Sequence, residues 1–109
     1  MINMLKKKIT AQRLKPKAIK IPKYLKWLHE VEQPECFVCH LSSGIQLHHV
    51  KRYSSDNRDD DKVIPLCYDH HLGTEFSVHN NPVEFREIYT MEEQLASAKE
   101  LYTKYKETI

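Results

Sequence analysis

Two pairs of metal-binding residue types, each pair spaced by two intervening positions, most constrain what this chain can fold into. Cys36 and Cys39 form the first pair, and Cys67 and His70 form the second. This spacing lets two side chains reach one ion, and three thiolates with one imidazole suit tetrahedral zinc. Four protein ligands leave no position for a substrate, so we predict a structural zinc that stabilises the fold.

The size of the chain and its cysteine count agree with a metal centre. A domain of 109 residues has a small core and often needs a metal or a disulfide as a supplement. Three cysteines cannot all pair, and we find neither a signal peptide nor a membrane span. We therefore expect reduced cysteines in the cytoplasm. Two alternatives stay open: His40 or His71 as the fourth ligand, and buried free cysteines without a metal.

Local patterns predict a small α+β domain, with a ββα unit between flanking helices. The predicted helices are KYLKWLHEV (23–31), YDHHLGTEFSV (68–78, weakened by Gly73), PVEFREIY (82–89, with Pro82 at its start) and MEEQLASAKELYTKY (91–105). The predicted strands are IQLHHV (45–50) and KVIPLC (62–67), joined by the polar loop KRYSSDNRDDD (51–61). We expect the aromatic residues of the first helix to lie in the core, and the apolar stripe of the last helix to pack on the domain.

Charge is distributed unevenly along the chain. The segment from Lys6 to Lys26 carries nine Lys or Arg and no Asp or Glu, whereas the residues after it carry eight basic and fifteen acidic side chains. We interpret residues 1–22 as a flexible basic arm and residues 23–109 as the folded domain. Basic arms attract phosphate backbones, and the alternative is a solubilising tail. The arm residues expected to bind DNA are Lys6, Lys7, Lys8, Arg13, Lys15 and Lys17.

Histidines beyond the zinc set predict a second site. Neighbours on a strand point to opposite faces, so one of His48 and His49 could bind a metal while the other meets a substrate. His71, Glu75 and His79 would share a face if one helix ran unbroken through them. His48 with His71 could hold a second ion whose incomplete ligand set leaves positions for water and phosphate.

These motifs resemble a known group of enzymes. Cys-x2-Cys, then HH on a strand, then PLC-x2-HH opening a helix is similar to the HNH, or ββα-metal, endonucleases. Within that group the chain most resembles the phage recombination-enhancement (Ref-like) nucleases. KYLKWLHEVEQPECFVCH resembles their lead-in and HLGTEFSVHNNPVEFREIY their trailing segment, and the resemblance spans residues 15–95.

The resemblance implies a role for each histidine of the second site. His49 would be the general base that takes a proton from water, while His48 and His71 would bind a divalent ion on the scissile phosphate. His79 would be a third ligand, with Glu75 a weaker candidate. The ion would be Mg²⁺ or Mn²⁺, with Zn²⁺ as the alternative, and the product would carry a 5′ phosphate.

One position departs from the HNH pattern. The family usually carries Asn shortly before the third zinc ligand, where it braces the loop that holds the base. Here Asp61 or Lys62 occupies that place, and Asn57 lies further back. Asp61 is therefore the candidate substitute, and a degenerate, inactive member is the alternative. The acidic run 59–61 is otherwise interpreted as a solvated loop.

The sequence thus predicts a metal-dependent DNA endonuclease or nickase, acting in phage recombination in a bacterial cytoplasm. The alternative is a zinc-stabilised nucleic-acid-binding module without catalysis. A recombinase filament is a further candidate partner, no membrane partner is expected, and a monomer is favoured. His29 and His40 are interpreted as surface or packing residues.

Overall fold

A computed structural model describes residues 17–53 and 55–109 of the chain. Most of the basic arm therefore lies outside the described residues. The arm residues that lie there are Lys6, Lys7, Lys8, Arg13 and Lys15. Lys17 is described and is exposed. None of the helices in the described ranges combines the length and apolar character needed to cross a membrane.

The described residues form a small α+β domain with a two-stranded sheet, as the sequence predicts. In chain order the elements are α1 (Pro22–Trp27), a π-helical turn (Leu28–Glu32), β1 (Gln46–His49), β2 (Val63–Leu66), α2 (Tyr68–His71), α3 (Pro82–Ile88) and α4 (Met91–Glu107). The order strand, strand, helix places α2 directly after the hairpin, and the remaining helices surround this unit.

The sheet is antiparallel and its two strands differ in burial. His48 pairs with Ile64 and His49 pairs with Val63. Every residue of β2 is buried, whereas every residue of β1 is half-buried. Pro65 has no N–H group to donate. Its carbonyl accepts a hydrogen bond of 2.8 Å from the backbone N–H of Phe37. The first cysteine pair is thereby attached to β2 by the backbone.

The core consists of two clusters that β2 and α4 connect. Ile64 and Ala98 belong to one cluster, which also contains two of the cysteines, whereas Val63 and Tyr105 belong to the other. Strand neighbours point to opposite faces, so Val63 and Ile64 reach different clusters. Helix α4 is long enough to contact both clusters. Its apolar stripe packs on the domain, which confirms that interpretation.

Aromatic side chains attach α1 to α4. The Tyr24 ring lies 5.0 Å from the rings of both Tyr102 and Tyr105, and the Trp27 ring lies 5.3 Å from that of Tyr105. Tyr24 is fully buried. These contacts confirm that the aromatic residues of the first helix belong to the core. Val31 is 67% exposed, because the helix widens to a π-helical turn and ends shortly after it.

The long helix predicted over residues 68–78 is wrong, because only Tyr68–His71 is helical. The chain folds back after Leu72, and the N–H of Gly73 donates to the carbonyls of Tyr68 and Asp69 at 3.1 Å. A Cβ atom at Gly73 would lie 2.4 Å from the Asp69 carbonyl oxygen. Only glycine fits this close approach without a shift of the backbone.

Helices α3 and α4 begin with local signals in the sequence. Pro82 occupies the first turn of α3, as predicted. Thr90 caps α4 through a capping box, in which its hydroxyl accepts from the Glu93 N–H at 3.2 Å and the Glu93 carboxylate accepts from the Thr90 N–H at 3.4 Å. These caps set the point at which each helix starts.

Candidate metal centres

Three cysteines and one histidine converge at the junction of the sheet and α2. The sulfur and nitrogen atoms of Cys36, Cys39, Cys67 and His70 all lie within 4.8 Å of one another. The Cys39 and Cys67 sulfurs are 3.7 Å apart, and the Cys67 sulfur lies 3.2 Å from His70 Nδ1. We call this set the four-ligand centre. It contains the four residues that the spacing predicts.

The geometry of the four-ligand centre fits zinc. Tetrahedral zinc with Zn–S bonds of about 2.3 Å places its sulfur ligands about 3.8 Å apart, close to the 3.7 Å between Cys39 and Cys67. The same separation is far longer than a disulfide bond of about 2.05 Å, and all three cysteines are free. Four such ligands could hold a metal such as zinc.

The surroundings of the Cys36 thiol favour its thiolate form, which is the form that binds metals. Burial opposes its ionisation, but backbone N–H groups around the sulfur, first that of Cys39, lower its pKa from 9.0 to about 6. The N–H of Val38, inside the knuckle, points at the same sulfur at 3.4 Å. Burial raises the pKa of Cys67. Metal binding would remove the protons from the thiols, since thiolates are the ligands.

The alternative fourth ligands lie elsewhere. His40 is exposed, and its Nδ1 lies 3.9 Å from the Glu35 carboxylate. His71 belongs to a second cluster. The structure therefore favours His70 over both as the partner of the three cysteines.

Three histidines converge at that second cluster. The ligand nitrogens of His48, His71 and His79 all lie within 4.8 Å of one another, and those of His71 and His79 are 3.2 Å apart. The three ring centroids are separated by 4.8–5.4 Å. Nitrogen ligands about 2.1 Å from one metal ion lie about 3.0–3.4 Å apart, and the 3.2 Å between His71 and His79 falls in this range. We call this set the three-histidine centre.

Backbone hydrogen bonds, rather than a continuous helix, bring His79 to His71. The N–H of Val78 donates to the His70 carbonyl at 2.9 Å, and that of His79 donates to the His71 carbonyl at 3.4 Å. The side-chain amide of Asn80 donates to the Leu72 carbonyl at 2.8 Å, so this carbonyl at the end of α2 has a hydrogen-bond partner. The chain thus turns back over α2 and places a third imidazole beside the second.

Gln46 orients the His71 ring. Its Oε1 lies 2.6 Å from His71 Nδ1, so Nδ1 carries the proton and Nε2 presents its lone pair to the three-histidine centre. Histidine ligands commonly donate their other N–H to an oxygen in this way, which fixes the tautomer and strengthens the ligand. Sequence reasoning missed Gln46, whose only signal is its place on the strand two residues before His48.

Burial and neighbouring imidazoles lower the pKa of two histidines in the three-histidine centre. Burial, followed by the neighbouring imidazoles of His79 and His71, lowers the pKa of His48 from 6.5 to about 3. Burial also lowers the pKa of His71, and His79 adds to the effect. Both rings are therefore neutral at pH 7, which is the form that binds metals.

His49 faces Asp60 instead of the three-histidine centre. Its Nε2 lies 2.9 Å from Asp60 Oδ1, and its buried Nδ1 has no hydrogen-bond partner among the described residues. The carboxylate accepts the Nε2 proton, so Nδ1 is left with a lone pair. Burial of Asp60 is the largest single effect and opposes its ionisation, but the hydrogen bonds from His49 and the Ile21 N–H, together with nearby positive charge, lower the Asp60 pKa.

The end of the predicted arm holds Asp60 in place. The N–H of Ile21 donates to Asp60 Oδ2 at 2.7 Å, and the N–H of Ile19 donates to Asp59 Oδ1 at 2.8 Å. Asp60 is 4% exposed. The acidic run 59–61 is therefore not a simple solvated loop, because two of its carboxylates bind the chain just before α1.

The structure bears on two expectations from the sequence, one about Asp61 and one about Glu75. Asp61 was the candidate substitute for the Asn that braces the loop of the base, and the carboxylate that contacts His49 belongs to its neighbour Asp60. Glu75 does not belong to the three-histidine centre, because it lines a different cavity with Asp69 and Phe76. The run of three aspartates at 59–61 signals a carboxylate near the hairpin, but only the loop path selects one of them.

His49 and two members of the three-histidine centre, His48 and His79, line one groove. A cavity of about 300 Å³ is lined by His48, His49, Lys51, Val78, His79, Pro82, Arg86, Met91 and Gln94. Among these described lining residues there are two cations and no carboxylate. The groove therefore suits an anion that can contact both the imidazole cluster and His49.

Comparison with known proteins gives no relative from which to transfer a function. The sequence matches no protein-family model, and neither a curated protein nor a solved structure matches the chain.

Proposed function

We propose that this chain is a metal-dependent endonuclease of the HNH, or ββα-metal, type that hydrolyses phosphodiester bonds in DNA. One observation carries the proposal. His48, His71 and His79 converge within 4.8 Å. The adjacent His49 lines a groove with His48 and His79, and its Nδ1 lacks a hydrogen-bond partner among the described residues. A cation site beside a base is the arrangement that phosphodiester hydrolysis needs.

The three imidazoles would hold a divalent ion, with Mg²⁺, Mn²⁺ or Zn²⁺ as the candidates. Imidazole ligands suit Zn²⁺, whereas Mg²⁺ and Mn²⁺ prefer oxygen ligands. When bound, the ion would supply Lewis-acid stabilisation of negative charge on the phosphate and on the leaving 3′ oxygen. Gln46 supports this by keeping the lone pair of His71 Nε2 on the cluster. Three protein ligands leave coordination positions open, in contrast to the four of the four-ligand centre.

His49 would act as the general base. Its Nδ1 accepts a proton from a water molecule as the water oxygen forms a bond to phosphorus. The bond from phosphorus to the 3′ oxygen breaks, that oxygen takes a proton from solvent water, and His49 then returns its own proton to solvent. Asp60 holds the imidazole by its Nε2–H at 2.9 Å and stabilises the positive charge that develops on it. The products are a 5′ phosphate and a 3′ hydroxyl.

The four-ligand centre would support this chemistry indirectly. His70 and His71 are adjacent on α2, and one would bind the structural zinc while the other binds the second ion. Zinc would therefore fix the helix that carries a ligand of the three-histidine centre. The basic arm would add sequence-independent affinity for the phosphate backbone.

Plasmid nicking tests the proposal. The wild type should nick supercoiled DNA with Mg²⁺ or Mn²⁺, and His49→Ala should lower the rate by about 10²–10⁴-fold, the usual contribution of a general base. His29→Ala is the matched control, because His29 is exposed and lies outside both centres. Circular dichroism and zinc content should match in all three proteins.

Two results would contradict the proposal. Equal nicking by the wild type and His49→Ala would show that the base is wrong. Absence of cutting by the wild type with any divalent ion, with and without a recombinase filament, would favour a zinc-stabilised binding module. A requirement for the filament would instead identify a partner-dependent nuclease in recombination.

A further inference from the structure

Arg86 lies on α3 and lines the groove that contains His48, His49 and His79. It is exposed, whereas His48 and His49 are half-buried. His48 and His49 therefore form the floor of the groove, whereas Arg86, like His79, is exposed at its opening. Lys51 lines the same groove from the residues that follow β1. The two cationic residues of the groove belong to different parts of the chain: Lys51 follows β1, and Arg86 lies on α3.

The guanidinium is partly fixed and still available. Arg86 Nε donates to the Pro82 carbonyl at 3.2 Å, one helical turn earlier. Its two terminal nitrogens make no hydrogen bond or ion pair to the residues within 17–53 and 55–109. Arg52 differs, because its Nη1 donates to the Glu92 carboxylate at 3.3 Å. Of these two arginines, Arg86 is the one that can offer a fork of N–H groups to a ligand.

A guanidinium fork binds phosphate oxygens in a bidentate manner. The floor of the groove already provides a cation site and a base for one phosphate. A strand that runs out of the groove would bring its neighbouring phosphate to the opening, where Arg86 lies. No carboxylate among the described lining residues opposes that phosphate.

We propose that Arg86 binds the phosphate next to the scissile one on the same strand, and thereby makes the groove selective for polynucleotides over small phosphodiesters. This inference rests on the proposed nuclease function. Binding energy from a phosphate that does not react is used to position the one that does. A small diester lacks the second phosphate and cannot gain from Arg86.

The experiment compares two substrates and two matched variants. Arg86→Ala and Arg52→Ala remove the same charge, and each is assayed with an oligonucleotide and with bis(4-nitrophenyl) phosphate. We expect Arg86→Ala to lower kcat/KM for the oligonucleotide by ~10–100-fold and to affect the small diester at least ~10-fold less. Arg52→Ala should leave both rates close to wild type, and Arg86→Lys should recover part of the loss.

DNA binding gives a second readout that does not need cleavage. In a His49→Ala background, Arg86→Ala should weaken binding of the same oligonucleotide and lower the slope of log K against log salt by about one unit. Arg52→Ala should change neither quantity as much. Fluorescence anisotropy across a salt series measures both.

Several results would overturn the inference. Equal losses of kcat/KM on both substrates would mean that Arg86 acts at the reacting phosphate or is needed for folding. Equal effects of Arg86→Ala and Arg52→Ala would mean that only the overall charge of the protein matters. If the wild type cleaves neither substrate, the proposed function fails, and the binding series still decides about Arg86. Unchanged affinity and salt slope in that series would then exclude the contact.

Discussion

The two centres of this molecule take neighbouring residues of one helix but differ in composition and burial. His70 belongs to the four-ligand centre and His71 to the three-histidine centre, although they are adjacent on α2. Successive residues of a helix point about 100° apart, so one short turn can supply a ligand to each side. The four-ligand centre includes two buried cysteines, whereas the three-histidine centre has three imidazoles beside a groove.

Under the proposed function, this difference assigns stability to one centre and chemistry to the other. A tetrahedral set of thiolates and imidazole leaves no open position, so a metal bound there would only stabilise the fold. Three neutral imidazoles leave positions open and bind a wider range of divalent ions. The comparison predicts that damage to the four-ligand centre unfolds the domain, whereas damage to the three-histidine centre leaves the fold and removes the chemistry.

The largest effect should follow loss of the four-ligand centre. Cys67→Ser, or removal of zinc by a chelator, should unfold the domain, because structural zinc supplies about 10–16 kcal/mol in zinc-finger peptides and a whole domain is stable by about 5–15 kcal/mol. Circular dichroism and zinc content by mass spectrometry measure the outcome. If the zinc-free chain kept the wild-type melting temperature, the four-ligand centre would not stabilise the fold, and the proposed difference between the two centres would be wrong.

The second effect should be confined to activity. His71→Ala should lower nicking by about 10³-fold, since a catalytic ion supplies several kcal/mol of transition-state stabilisation. One zinc per chain and the melting temperature should stay close to wild type. His40→Ala serves as the control, because His40 is exposed and outside both centres. Loss of zinc from His71→Ala would mean that the two centres are not separate.

A smaller effect should follow loss of the Gln46 contact. Gln46→Leu removes the oxygen that lies 2.6 Å from His71 Nδ1, and partners of this kind typically contribute about 10–100-fold to metal affinity or activity. Titration with Mn²⁺ measures the change, and Gln46→Glu should restore affinity because it keeps the acceptor. Equal affinity of the leucine variant and the wild type would show that His71 needs no orientation.

The smallest effect concerns pH. His48 has a pKa of about 3 in the folded chain and about 6.5 when unfolded. The folded value is the lower one, so the neutral ring stabilises the fold fully above about pH 6.5, and this stability is lost as the pH falls toward the folded pKa. Without the second ion, the wild type should lose on the order of 1 kcal/mol relative to His48→Gln between about pH 7.5 and 5.5.

Denaturant unfolding at each pH measures this difference. The window lies above the range in which the Asp60 carboxylate would take up a proton, because its pKa is lowered in the fold. Parallel stability curves for the wild type and His48→Gln would mean that His48 is more accessible to solvent than its burial indicates.

The ligand set of the four-ligand centre could be predicted because its two halves are local. Residues three positions apart are held close by chain geometry alone, so Cys36 with Cys39 and Cys67 with His70 can chelate in almost any compact arrangement. The pairing of His48 with His71 was also predicted, since a strand and the helix after a hairpin meet at one end. His79 reached the same centre by a route the sequence did not predict, through a turn over α2 rather than an unbroken helix.

The residues that tune the site could not be predicted. Gln46 contacts His71 across a sequence separation of 25 residues, and Asp60 contacts His49 across 11. Such contacts depend on strand register and on the path of the loop between the strands. The sequence therefore pointed to the acidic run 59–61 without showing that Asp60 is the member that contacts His49.

By itself, the sequence determined the four ligands of the four-ligand centre, the α+β class and the apolar face of α4, because each depends on spacing within a few residues. Only the tertiary structure decided that His48 and His49 face different partners, that Asp60 holds His49 and that Arg86 shares their groove. These choices follow from packing two strands and their loops against one core, where a side chain's neighbours are set by register and not by its place in the chain.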